Sequence, residues 1–398
     1  MSTRRPSIDT RLQHPTPDEP DGGRPVVTPI YQTSTYSLPD AETGSQLASI
    51  EHPQTFYTRY GSPNVAHVEA MVADLEGAER EIASGSGMSA IASAILSHVR
   101  AGDHVVAQWT HYTATLSLFE EWLPRAGIEV TRVDNTDPSA FTEALRDNTR
   151  LVYCETPTNP TMTLTDLGAV AAAARSADAI SVVDNTFASS FNQQPHRHGI
   201  DLVVHSATKY LNGHSDVTAG VVTGSAHLLA PVWEYTRVHG PTLHPMEAWL
   251  LARGMKTYTL RMRRHNASAL EVATALTDFS AIDTVYYPGL PDHPQHDLAC
   301  RQMPGGFGGM LSFSLGGDSA PEQFQRAQRL LERVELCEAA VSLGSTETLI
   351  THPASLIFAH QSLDQLAAAG VDAGLVRLSV GLESPGDLFD DLARALEI

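Results

Sequence analysis

Cysteine is scarce in this chain. Cys154, Cys300 and Cys337 are its only three among 398 residues, and their wide spacing gives neither a disulfide framework nor a metal knuckle. Positive charge is scarce too. The 26 Lys and Arg face 46 Asp and Glu, a formal net charge of −20 with His neutral. So acidic a surface repels phosphate backbones and anionic lipids, which argues against nucleic-acid and membrane partners. No apolar run approaches the ~18 residues of a membrane span. The start, MSTRRPSIDTRLQHP, has adjacent arginines but no apolar segment behind them, so no secretory signal is expected. G-x-S-x-G, H-E-x-x-H, a Walker A lysine and CxxC are all missing. These absences leave a cytoplasmic, reduced, non-metallic protein of enzyme size as the expectation, with length for two to three domains at ~150 residues each.

The first 61 residues carry Pro15, Pro17, Pro20, Pro25, Pro29, Pro39 and Pro53, which predicts an irregular arm. Its aromatic stretches, IYQTSTYS and TFYTRYGSP, favour wrapping around a partner subunit. From 62 to 260 the pattern alternates. Helices are expected over 65–79, 88–100, 116–127 and 164–177, and short β-branched strands over 104–108, 129–133, 151–155, 180–185, 202–206 and 220–224. Such alternation implies an α/β fold with a mostly parallel sheet covered on both faces. REIAS, at 80–84, reads poorly as a buried strand. Residues 261–398 open on a basic helix, TLRMRRHNASALEVATAL, and mixed signals after it suggest a smaller C-terminal α+β domain.

Ligands of open α/β sheets sit beyond the carboxyl ends of the strands, so the residues that follow each apolar run carry the information. LVYC leads to Glu155 and then Asn159-Pro160, ISVV to Asp184-Asn185-Thr186, and LVVH to Ser206-Ala-Thr208-Lys209. Taken singly, the acids read as turn caps, the lysine as a solvated charge and Asn159-Pro160 as a turn. Lys209 stands out because it follows a buried run and precedes Tyr-Leu-Asn-Gly-His. A lysine held at a sheet rim can lose its proton through desolvation and form a Schiff base. Upstream, Ser84-Gly85-Ser86-Gly87-Met88-Ser89-Ala90 opens a helix with residues small enough to close backbone amides on an anion. It also matches G-x-G-x-x-A, so a nicotinamide oxidoreductase competes, but the following strand acid is not at ribose-binding spacing. His196 and His198 read as surface residues, and Cys154 as packing.

In combination these segments resemble the Cys/Met-metabolism family of pyridoxal-phosphate enzymes, which includes cystathionine γ-synthase, cystathionine γ-lyase, methionine γ-lyase and the O-acylhomoserine sulfhydrylases. The resemblance runs from PVVTPIYQTSTY through YTRYGSPN, SGSGM, ETPTNP, VVDNTFAS and VVHSATKYLNGHSDVTAG to ARGMKTYTLRM, SLGSTETLITHPAS and LVRLSVGLES. It implies an aspartate-aminotransferase-like fold (fold type I) with an arm (1–61), a large pyridoxal-phosphate domain (62–260) and a small C-terminal domain (261–398). Lys209 would bind the cofactor and shuttle protons. Asp184, next to Thr186, would pair with the pyridinium nitrogen. Gly87, Met88, Ser206 and Thr208 would hold the phosphate, joined by Tyr57 and Arg59 of a neighbouring subunit in a dimer-built tetramer. Tyr112 would stack on the ring and act as acid or base at the γ-leaving group. Arg377, Asn159 and Ser342 would clamp the substrate carboxylate, with Glu155 supporting Arg59 or Asn159. No metal is implied.

The resemblance points to γ-elimination on a γ-substituted L-amino acid, with γ-replacement as the alternative and a non-catalytic metabolite-binding homologue as a reading of another class. Val341 before Ser342 resembles methionine γ-lyases. Tyr112-Thr113-Ala114-Thr115 departs from their Tyr-Gly-Cys-Thr, and Leu356-Ile357-Phe358-Ala359-His360 replaces the family's usual Met-Thr-His. Both departures fit either a pocket reshaped for an unusual substrate, such as a γ-halogenated or unsaturated amino acid, or neutral drift in loops, which tolerate change.

Overall fold

The apolar runs of the central chain are continuous rather than alternating, as befits strands covered on both faces. The computed structural model describes residues 5–14, 25–359, 362, 363, 366 and 371–396; Pro15, Pro17, Pro20 and His360 lie outside them. Strands β1 (Arg80–Ser84), β2 (His104–Gln108), β3 (Glu129–Val133), β4 (Thr149–Glu155), β5 (Ile180–Asp184), β6 (Leu202–Ser206) and β7 (Gly220–Gly224) form one sheet. Its order is β1-β7-β6-β5-β4-β2-β3. Strands β2 to β6 are mutually parallel, and β7 runs antiparallel to both its neighbours.

Side chains alternate between two apolar layers. Val105, Ala107, Val182 and Val204 pack with the helices Gly87–Leu96 and Ala226–His239, while Val106, Val152, Val183 and Val203 pack under the helix Leu167–Ser176. Cys154 belongs to this second layer, and burial pushes its thiol well above the usual range.

REIAS corrects the expectation: it is β1, an edge strand whose Ile82, Ala83 and Ser84 are buried. Its single β-branched residue and its Glu81 hide a role that comes from pairing with β7. The helix expected over 116–127 begins earlier, at Thr113, and passes through a π turn at Leu118–Trp122 before ending at Arg125. The described residues of the arm, 5–14 and 25–61, are mostly irregular and include two short helices. Ile8–Gln13 is anchored by buried Leu12 and an Arg11–Asp74 ion pair of 2.6 Å, and Ala41–Ser49 is capped by Asp40.

A second sheet comprises β8 (Ile282–Tyr286), β9 (Met310–Leu315), β10 (Glu338–Ala339), β11 (Leu349–Thr351) and β12 (Leu375–Ser379), in the order β10-β11-β12-β9-β8. The helices Tyr258–Leu276 and Pro385–Leu396 bury its apolar face. Ser312 on β9 donates to the Pro160 carbonyl at 2.7 Å, which ties this sheet to the loop after β4.

Candidate active site

Strands β4, β5 and β6 are neighbours and end on one rim. Glu155 and Asp184 face each other across β4 and β5, and Lys209 lies one turn beyond β6. The turn is tight: the Lys209 amide donates to the Ser206 carbonyl at 3.1 Å, and the Gly213 amide to the Lys209 carbonyl at 2.7 Å. Arg261, buried in the helix Tyr258–Leu276, fixes the loop from below. It donates to the carbonyls of Tyr210 at 2.7 Å, Leu211 at 3.2 Å and Gly254 at 3.0 Å. Sequence reasoning missed this arginine; its signal was a cation on an otherwise apolar helix face.

An anion cradle opens beside the lysine. Ser86 and Ser89 form a reciprocal capping box at the start of the helix Gly87–Leu96, which satisfies the Ser89 amide. The amides of Gly87 and Met88 donate to nothing among the described residues, and they sit at the positive end of the helix dipole. A Cβ on Gly87 would fall 2.7 Å from Ser206 Cβ and 2.8 Å from its Oγ, so glycine is what lets the helix start close on the end of β6. The Thr186 hydroxyl donates to Asp184 Oδ1 at 2.5 Å and accepts the Ser206 amide at 2.9 Å. The Thr208 hydroxyl accepts the Ala219 amide at 2.9 Å.

The opposite wall comes from the second sheet. Arg377, central in β12 and 4% exposed, donates through Nη1 to Asn159 Oδ1 at 3.0 Å and through Nη2 to the Ser342 carbonyl at 2.9 Å. Ser342 Oγ accepts from Lys209 Nζ at 2.6 Å.

Burial, reinforced by the Arg377 charge, lowers the Lys209 pKa to about 8. Burial also lowers Arg377, to about 10, so it stays a cation at neutral pH. Asp184 is pushed up by burial against the opposing hydrogen bonds of Thr186 and the His205 charge. Burial and then the Asp184 charge push Glu155 up as well. Behind the rim, His205 Nε2 meets Glu76 Oε1 at 2.5 Å, with both side chains at or below 1% exposure.

One cavity of about 580 Å³ collects nearly every residue singled out in the sequence. Lys209, Tyr112, Asp184, Gly87, Met88, Thr186, Ser206 and Thr208 line it, as do Arg377, Asn159, Ser342, Glu155 and Val341. Tyr57 and Arg59 do not. Arg59 donates to the Arg237 carbonyl of its own chain and lies 5.0 Å from the Tyr60 ring centroid. Glu155 accepts the Tyr112 amide at 2.9 Å and the backbone amide of Asn159, one of its two expected partners, while Arg59 of the same chain turns to the Arg237 carbonyl. His196 is no free surface residue, because its ring bridges the Ile200 carbonyl and the Thr223 hydroxyl, each at 2.9 Å. Phe187, Thr218 and Leu343 also line the cavity and were not singled out, since apolar and hydroxyl side chains next to motifs look like ordinary packing.

A desolvated lysine, a buried aspartate at an adjacent strand end and an unpaired amide cradle define a cofactor-dependent α/β enzyme that binds a phosphorylated, carbonyl-bearing group. The chain belongs to the family of Cys/Met metabolism pyridoxal phosphate-dependent enzymes, whose profile matches residues 9–397. It is 43% identical over 375 residues to an L-methionine gamma-lyase of Fusobacterium nucleatum subsp. polymorphum, covering 94% of this chain and 93% of that protein. It is 40% identical to a cystathionine gamma-lyase of Bacillus subtilis, covering 96% of each. The crystal structure of cystathionine gamma-lyase from Lactobacillus plantarum complexed with L-serine superposes with a TM-score of 0.88 at 37% identity, covering 98% of both chains. The fold is therefore the type I fold of these enzymes, and the cofactor is pyridoxal phosphate. The site fits that group: Asp184 Oδ2 has no hydrogen-bond partner among the described residues, and the Gly87 and Met88 amides are similarly unclaimed.

Proposed function

We propose that this protein is a lyase performing γ-elimination on a γ-substituted L-amino acid. What carries this is the convergence of Lys209, Asp184 and Arg377 in one cavity. Pyridoxal phosphate, when bound, supplies an electron sink for charge developing at substrate carbons. Lys209 would hold the group through its amine and, freed by the substrate, would move protons at the α- and β-carbons; its lowered pKa suits a base near neutral pH. Asp184 would pair with the pyridinium nitrogen, and the amides of Gly87 and Met88, with the Ser206 and Thr208 hydroxyls, would hold the phosphate. Tyr112 serves the γ-leaving group with its phenol, and Glu155 positions Tyr112 through its amide. Arg377, aligned by Asn159 and the Ser342 carbonyl, binds the substrate carboxylate as a planar fork. Lys209 would take the α- and then a β-proton, the γ-substituent would leave with its bonding electrons and take a proton from the Tyr112 phenol, and once a proton has returned from Lys209 to the γ-carbon water would release a 2-oxo acid and ammonia.

The same reading gives Tyr57 and Arg59 to the phosphate of a neighbouring subunit, in a dimer-built tetramer with an arm at 1–61, a cofactor domain at 62–260 and a small domain at 261–398. The larger sheet lies wholly within 80–224 and the smaller within 282–379, in keeping with that division. No helix among the described residues is long and apolar enough to cross a membrane. Three free thiols fit a reducing cytoplasm.

The test is a panel of γ-substituted amino acids given to purified holoenzyme, with and without added thiol. Elimination gives 2-oxo acid and ammonia. New amino acids alone, formed only when thiol is present, would replace the lyase with a γ-replacement enzyme.

A further inference from the structure

We infer that Arg261 is a positioning residue for Lys209: it grips the backbone just beyond the lysine and so sets where the amine acts in proton transfer. This rests on the role proposed for Lys209 above. Arg261 is 3% exposed within the single chain, so its surroundings are set inside the subunit. Nη1 donates to the Tyr210 carbonyl at 2.7 Å, and Nη2 to the carbonyls of Leu211 at 3.2 Å and Gly254 at 3.0 Å. Nε donates to the Thr257 hydroxyl at 3.2 Å. None of these partners is a carboxylate, and burial lowers the guanidinium only to about 10, which leaves it charged at neutral pH. A cation buried without a counter-charge costs stability. A side chain kept only to fill space would do so better without the charge.

Lys209 lies between two clamps. Upstream, the Thr208 amide donates to the Ala219 carbonyl at 3.2 Å and its hydroxyl accepts the Ala219 amide at 2.9 Å. Downstream, the next two carbonyls along the chain, of Tyr210 and Leu211, are held by Arg261. A lysine's four-carbon stem is flexible, so the placing of its backbone decides where Nζ can reach. Three carbonyls from two segments suit a planar guanidinium with five donors, and a single ammonium serves them poorly. The loop closes directly on the arginine: Gly213 has φ at 76°, and a Cβ there would fall 2.0 Å from Arg261 Nη1. The helix that carries the arginine is itself fixed, because His265, one turn on, donates from Nδ1 to the Val380 carbonyl at 2.7 Å.

The test is exchange of the α-hydrogen of L-norleucine with solvent deuterium, followed by NMR on the holoenzyme. Norleucine has no γ-leaving group, so exchange reads proton transfer by Lys209 apart from elimination, and its Kd is read from the absorbance of the bound cofactor. In Arg261→Gln the exchange rate at saturation should fall roughly 10- to 100-fold, as for a base misplaced by about 1 Å. Kd should stay within about threefold of wild type, since the substrate's own contacts are untouched. Gly213→Ala leaves the arginine in the chain but drives its guanidinium off the loop. It should give the same split, and it carries the test if Arg261→Gln does not fold. A wild-type exchange rate in either folded variant, or a Kd that rises as far as the rate falls, would overturn the inference, because the arginine would then serve only the fold. Lys209→Ala keeps the two failures apart. Exchange that persists there would remove the role proposed for Lys209, whereas exchange lost there and full in Arg261→Gln would remove this inference alone.

Discussion

Lys209 and Ser342 are joined by a 2.6 Å hydrogen bond from Nζ to Oγ, although one follows the last parallel strand of the large sheet and the other lies between β10 and β11 of the small one. Ser342 adopts a left-handed backbone with φ at 86°, which costs a non-glycine residue on the order of 1–3 kcal/mol. In that conformation its carbonyl takes Arg377 Nη2 at 2.9 Å while its hydroxyl takes the lysine. A single strained residue thus touches both cations that the proposed chemistry needs.

The lowered lysine pKa has a consequence that can be measured on apoprotein. Only the neutral amine captures an aldehyde, and below its pKa the neutral fraction falls about tenfold per pH unit. With Lys209 at about 8, the rate of cofactor capture should rise with pH and level off just above that value. An unperturbed lysine would keep rising for two further units or so. Lys209→Ala should abolish both the long-wavelength absorbance of lysine-bound cofactor and turnover; retained turnover would remove Lys209 from the centre of the mechanism.

Much of this site was legible in the sequence because its chemistry sits at strand ends. Glu155, Asp184 and Lys209 follow three apolar runs that pair side by side, so reading the residue after each run amounted to reading the rim. What escaped depends on tertiary contacts. Arg261 is a helix residue whose three backbone acceptors come from other segments. REIAS is a strand only because β7 pairs with it, which overrides a weak local preference. Asn159, four residues on, was a legible partner of Glu155, but no spacing rule reports that the Tyr112 amide, 43 residues earlier, turns toward it as well.

Arg59 lies outside the cavity of its own chain, so the proposed role in cofactor binding requires a neighbouring subunit. Arg59→Ala should weaken cofactor retention through loss of a charge-assisted phosphate contact, by about 1.5–3 kcal/mol. Mixing inactive Lys209→Ala subunits with Arg59→Ala subunits, after mild dissociation, should restore activity at hybrid sites that combine an intact Lys209 with an intact Arg59. No recovery in confirmed hybrids would assign Arg59 to its own chain.

Glu76 and His205 form a buried pair one residue along β6 from the partner of Asp184. Burial pushes Glu76 up, but the His205 charge and the hydrogen bonds from His205 and Ser190 outweigh it and leave the carboxyl below its usual value. Its contribution to stability is therefore full above the ordinary carboxylate pKa and is lost as pH falls through the depressed folded value. Glu76→Gln should destabilise the protein by about 3–5 kcal/mol near neutral pH, because a buried charge loses its partner. The gap to wild type in denaturant melts should shrink in acid. A gap independent of pH would mean that the pair is not ionised.

Arg377 separates substrate binding from cofactor binding. It lies in the middle of β12 and lines the cavity, with Nη1 donating to Asn159 at 3.0 Å and Nη2 to the Ser342 carbonyl at 2.9 Å and, at 3.5 Å, to the Thr351 hydroxyl. That leaves the rest of the fork for a carboxylate, which contributes about equally in the ground and transition states. Removing it should therefore raise KM more than it lowers kcat. Arg377→Lys keeps the charge but loses the planar fork, and should raise KM roughly 10²-fold at nearly constant kcat. The spectrum of bound cofactor should stay as in wild type, because Lys209 and Asp184 are untouched. An Arg377→Lys enzyme with unchanged KM and a disturbed spectrum would show instead that the arginine acts through Ser342, by holding the strained turn against Lys209, and the carboxylate site would have to be sought elsewhere in the cavity.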